Sequence, residues 1–227
     1  MRWGNHSLEQ ESGGPRTAAD AISRPRMQTL SDLIFGLALS IGAFGLLSDR
    51  PTQFIGLVYS IVGFGWAFLI LAMVWVRYTR VMSVLPVETG RMIAANMLLL
   101  FLVSVEPYLY NLIPGSFSSA SGQLDPGTTS ALYAVDMGSI FLVLAYFTHE
   151  LAKEERRLIP KDLLRNYRLL RNGTLVVSAI FFISVLPLFW GLAIFGIQLR
   201  FILWMGTFVT WSVRRGLEAR PNLPSTK

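Results

Sequence analysis

Cysteine is absent from the 227 residues, which excludes disulfides, thiol nucleophiles and thiolate metal sites. Histidine is nearly so: His6 and His149 are the only two, too few for a multi-histidine metal centre. Charge is also scarce. Asp, Glu, Lys and Arg make up 15% of the chain, against roughly 25% in an average globular domain. No H-E-x-x-H, G-x-S-x-G or Walker-type glycine loop occurs, and no carboxylate pair within the apolar segments is spaced along one helix face. The sequence therefore predicts neither an enzyme nor a bound cofactor.

What is present is apolar length. Hydrophobic residues are 52% of the chain and fall in blocks. A membrane-crossing helix needs about 20 mostly apolar residues. Segments of that kind run over 27–48, 54–77, 92–113 and 130–149. The apolar stretch 175–213 is too long for one span and suits two, broken near Pro187–Gly191. The predicted fold class is all-α, a polytopic membrane protein of six transmembrane helices. Residues 1–25 read as a flexible tail, 26–214 as the membrane domain and 215–227 as a second tail. Residues 150–171 form a charged segment facing water.

The net charge of +6 is a topology signal rather than a nucleic-acid signal. With the amino terminus inside, 18 of the 20 basic residues fall in inner segments; Arg50 and Arg200 are the exceptions. Both termini are thus expected to be cytoplasmic. The basic excess of 150–171 suits anionic lipid headgroups of the bilayer.

Charge inside a bilayer is costly, about 2.5–3.5 kcal/mol per residue at a helix centre, so each instance calls for a reason. Asp32 lies early in the first span, Glu106 deep in the third beside the kinking Pro107, Asp136 in the fourth and Arg200 in the last. Snorkelling or a buried helix–helix hydrogen bond accounts for any of them. An intramembrane carboxylate such as Glu106 or Asp136 equally suits a proton-linked secondary transporter, although the two halves show no inverted repeat.

The first span has two faces. At 100° per residue, Leu33, Leu37, Ser40, Ile41 and Phe44 share one stripe, and the smaller Ser31, Ala38, Gly42 and Gly45 share another. The small stripe permits close backbone approach. The bulky one faces lipid or core, or lines an axis between subunits as an apolar constriction that gates by dewetting. Periodicity alone does not choose.

The start of this span, Arg26-Met27-Gln28-Thr29-Leu30-Ser31-Asp32, resembles the R-x-x-x-F-S-D signature of the transmembrane protein 175 family. Ala67-Phe68 with Trp75 resembles its second-span pattern, and Asn96, Val103-Ser104 and Pro107-Tyr108 its third. The resemblance implies a passive potassium channel without a pore loop, assembled from four single-repeat subunits in a prokaryotic cell membrane, with K+ as the permeating ion and the first helix of each subunit lining the pore. On that resemblance Leu37, Ile41 and Phe44 are the constriction and Ser40 a hydroxyl layer. Arg26, Ser31 and Asp32 then form a structural or gating network. Leu30 replaces the motif phenylalanine, Tyr78 stands where the family often has histidine, Glu106 replaces an apolar residue, and Phe44 is bulkier than the usual leucine.

Overall fold

A computed structural model describes residues 18–48, 54–85, 89–115, 125–153, 161–194 and 197–218. Six long helices dominate: α1 (Ala18–Ser48), α2 (Phe54–Met82), α3 (Gly90–Gly115), α4 (Pro126–Leu151), α5 (Lys161–Ser184) and α7 (Leu199–Glu218). The short α6 (Leu188–Gly191) and a two-residue antiparallel pair, β1 (Ala193–Ile194) with β2 (Ile197–Gln198), lie between α5 and α7. Among the described residues, the fold is all-α apart from that pair. Among the described residues, α1 through α4 each contain a stretch long and apolar enough to cross a membrane. The first half of α5 is charged, and the apolar helix at the start of α7, Leu199–Phe208, is shorter.

Burial ranks the helices. Tyr133, Met137, Ile140, Phe141, Leu144, Phe147 and Leu151 of α4 are all essentially inaccessible, so α4 is the central post. A helix apolar on all sides belongs inside. Its start is fixed chemically: the Asp125 side chain accepts from Thr128 N at 3.2 Å, and Pro126 occupies the first turn, where its missing N–H costs nothing. Helices α3 and α5 flank α4, α1 packs on α2 and α3, and α7 packs on α5.

Lipid tails are as apolar as leucine, so close packing rather than burial from water must hold these helices together. An aromatic chain supplies much of it. Tyr110 meets Tyr133 edge-on at 5.9 Å, Tyr133 meets Trp204 at 5.2 Å, Trp204 meets Phe181 at 5.7 Å, and Phe181 stacks on Phe141 at 5.9 Å. The Arg77 guanidinium lies over Phe141, 5.6 Å from its centroid, which brings a basic residue into the protein. Hydroxyls in the helices satisfy themselves on backbone carbonyls one turn back, as Thr148 does on Leu144 O and Thr174 on Leu170 O, both at 2.8 Å.

Three boundaries differ from the sequence expectation. Helix α1 begins at Ala18, so the last part of the expected amino-terminal tail is helical. The charged segment 150–171 includes the end of α4 and the beginning of α5, where Arg165 and Arg168 are exposed but Leu170 is buried, and its residues 154–160 lie outside the described residues. The interruption of 175–213 reaches from Val185 to Gln198, because α6 and the β pair are closed by a backbone bond from Leu199 N to Leu192 O at 2.8 Å. Helix α7 then continues to Glu218, within the expected carboxy-terminal tail. Residues 1–17, 49–53, 116–124 and 219–227 lie outside the described residues.

Candidate functional site

The two stripes of α1 part company in the fold. Ser31 and Ala38 are buried, and Gly42 and Gly45 are partly covered. A Cβ on Gly42 would touch the Phe64 ring of α2 at 3.5 Å, and one on Gly45 would overlap the Asn111 carboxamide of α3. The small residues therefore form the seam by which α1 joins its own subunit. The bulky residues face outward: Leu33 is 59% exposed, Leu37 52%, Ile41 47% and Phe44 65%. Ser40 is exposed on the same ridge, and its hydroxyl donates to Gly36 O at 2.8 Å. With that proton engaged, the Ser40 oxygen keeps its lone pairs for an outside partner.

At the middle of α1, polar bonds tie it to α2 and α3. Trp75 Nε1 donates to Asp32 Oδ1 at 3.0 Å. Ser31 Oγ is 2.7 Å from the Tyr78 hydroxyl and 2.9 Å from Met27 O, while the Tyr78 hydroxyl is 2.9 Å from Asn96 Oδ1. Three contacts need three protons, and the two hydroxyls supply two. Turning the Asn96 amide so that its nitrogen donates to Tyr78 supplies the third, and gives a partner to a buried nitrogen that otherwise lacks one. Protons then run one way, from Asn96 to Tyr78 to Ser31 to Met27 O. Phe35, buried on α1, packs its ring 5.4 Å from that of Tyr78. The structure thus ties Ser31 into the Tyr78–Asn96 chain and bonds Asp32 separately to Trp75. The Arg26 side chain lies outside the described residues.

The remaining intramembrane charges have separate settings. Arg200 is 2% exposed at the start of α7. Its Nε donates to Gln198 Oε1 at 2.8 Å, its Nη2 donates to the same oxygen, and its Nη1 reaches Gly127 O of α4 at 3.3 Å. That is the helix–helix hydrogen bond allowed from sequence. Glu106 is buried in α3 and accepts from the Tyr133 hydroxyl of α4 at 3.3 Å. Asp136, one turn along α4, is buried as well. Tyr133, Tyr78 as a bridge and Phe35 as its platform were not identified as site residues from sequence. Their roles come from neighbours on other helices, which spacing along one helix does not display. Among the described residues, no group of three or more His, Cys, Asp or Glu is placed to hold a metal ion.

Comparison with known proteins bears on the fold and on the family resemblance. Residues 26–107 match the family model of TMEM175, the endosomal/lysosomal potassium channel. A crystal structure of a lysosomal potassium-selective channel TMEM175 homologue from Chamaesiphon minutus matches 89% of this chain and 100% of its own, at TM-score 0.54 and 19% identity. A variant of the potassium channel MtTMEM175, solved with a nanobody–MBP fusion, matches 85% of this chain and 89% of its own, at TM-score 0.50 and 19% identity. No curated protein sequence matches. At 19% identity the likeness to solved structures is one of fold, and the sequence match adds the family resemblance over α1, α2 and most of α3.

Proposed function

We propose that this multi-pass membrane protein, whose first three helices match the TMEM175 family and whose fold is that of two potassium channel structures, is itself a potassium-permeable channel. Four copies surround a central axis lined by α1, with both termini cytoplasmic. The observation that carries the reading is the unpartnered ridge of α1. Leu37, Ile41 and Phe44 project from a helix whose opposite seam is tied into its own subunit by packing and hydrogen bonds.

Repeated around an axis, the ridge gives three apolar rings. Such rings empty of water when narrow and pass ions when wide, so they act as the gate. Between them the Ser40 hydroxyls, their protons held by Gly36 O, present oxygen lone pairs that partly replace a cation's hydration shell. Without a filter of backbone carbonyls, selectivity for K+ over Na+ is modest. The Ser31–Tyr78–Asn96 chain and the Asp32–Trp75 bond hold the middle of α1 to α2 and α3 while its ridge responds to the pore, and Arg26 stands a little earlier on the same helix.

The test is flux from reconstituted liposomes. Potassium leaves down its gradient with no added energy source, and Leu37→Ala changes the rate. Absence of potassium flux in a tetrameric preparation contradicts the proposal. A proton-linked transporter using Glu106 is the second reading, favoured by the burial of that carboxyl in α3. It predicts uphill uptake driven by a pH gradient and lost in Glu106→Gln.

A further inference from the structure

Glu106 and Asp136 are 2% and 5% exposed, on facing helices in the interior of the subunit. Helices α3 and α4 pack together, and Tyr133, three residues before Asp136 on α4, donates to Glu106 Oε1 at 3.3 Å. Asp136 Oδ2 is shielded from solvent and has no hydrogen-bond donor. Around Glu106, α3 contributes Tyr110, α4 contributes Tyr133 and Asp136, and α1 and α2 contribute apolar residues. None of these neighbours is basic. A buried carboxylate with no cation among its described neighbours, as at Glu106, is strongly unfavourable unless a proton neutralises it.

Glu106 also lines a crevice behind α1. Its walls include Ala38 and Gly42 of α1, Phe64 and Phe68 of α2, and Tyr110 of α3. The space is about 10 Å³, close to the minimum for one water molecule and too small for a hydrated metal ion.

We propose that Glu106 and Asp136 form a proton-binding site that opens to this crevice, and that its occupancy sets how firmly α1 seats against α2 and α3. With the proton bound, the crevice stays dry and the small seam of α1 stays closed. When the proton leaves, the added charge draws water between Glu106 and the Ala38–Gly42 side of α1. Water entering behind the helix displaces it toward its exposed ridge. The effect on flux rests on the channel reading above, in which that displacement narrows the pore; the proton site itself does not.

Two measurements on the full-length protein separate the two. Infrared difference spectra recorded across a pH titration in lipid should show the carbonyl stretch of a buried carboxylic acid, absent in Glu106→Gln and altered in Asp136→Asn. This readout stands whether or not the protein conducts. Potassium flux should fall severalfold as pH rises, while Glu106→Gln stays at the wild-type low-pH level throughout. Absence of an acid band in the wild-type protein, a band unchanged in both variants, or a Glu106→Gln channel that keeps the wild-type pH profile overturns the proposal.

Discussion

The hydroxyl oxygens of Ser31 and Tyr78, on α1 and α2, are 2.7 Å apart in a buried contact. Tyr78 also reaches Asn96 of α3, so one side chain couples the three helices that share the family match. Histidine at this position, frequent in the family that the sequence resembles, would carry a titrating ring into the contact. Tyrosine makes the link with a hydroxyl, and its ring adds packing against Phe35.

Tyr78→Phe keeps the ring and deletes the bridge. Interhelical hydrogen bonds in membranes average about 0.6 kcal/mol and reach about 1.7. Here two buried partners lose their link at once, so the expected cost is about 1–2 kcal/mol. It should appear as a lowered unfolding temperature in detergent. Ser31→Ala and Tyr78→Phe should be less than additive, because each breaks the same contact; full additivity would contradict the relay.

Trp204 is 2% exposed, touches Tyr133, Phe181 and Phe201, and donates Nε1–H to Ser184 Oγ at 2.9 Å. Trp204→Ala removes the middle of the aromatic chain and leaves a cavity, at an expected cost of about 3–5 kcal/mol. Ser184→Ala removes only the hydrogen bond and should cost about 1 kcal/mol. Denaturant titration of the two variants checks the ratio.

Arg200 and Arg165 are both arginines at helix beginnings, yet their substitutions should differ. Arg200 is buried and bonded to Gln198 and Gly127. Arg200→Ala is expected to cost about 3 kcal/mol. Arg165 is exposed on α5, and Arg165→Ala should stay within about 0.5 kcal/mol of the parent. Thermal unfolding of the variants in one detergent provides the comparison.

The legibility of this molecule in its sequence follows the range of the forces involved. Spans 54–77, 92–113 and 130–149 appear as α2, α3 and α4 because hydropathy is a local property. The seam of Ser31, Ala38, Gly42 and Gly45 was readable because helical phase alone puts small residues on one side. Two buried groups were visible only as positions. Glu106 could be seen as an intramembrane carboxyl, but its partner Tyr133 lies on another helix. Arg200 could be seen as an intramembrane cation, but the carbonyl it reaches is at Gly127, 73 residues away. The α6 turn and the β pair were not legible, being too short for any periodicity and closed by one bond from Leu199 to Leu192.

The absence of cysteine makes the central claim directly testable, since single cysteines can be placed in an otherwise thiol-free chain. Leu37→Cys, Ile41→Cys and Phe44→Cys would stand on the α1 ridge, and Leu69→Cys on the exposed side of α2 as a control. Potassium flux should be blocked when a water-soluble, charged thiol reagent is added to the ridge variants, and should be unaffected in Leu69→Cys. Ridge cysteines that fail to react, or that react without changing flux, would contradict a pore lined by α1.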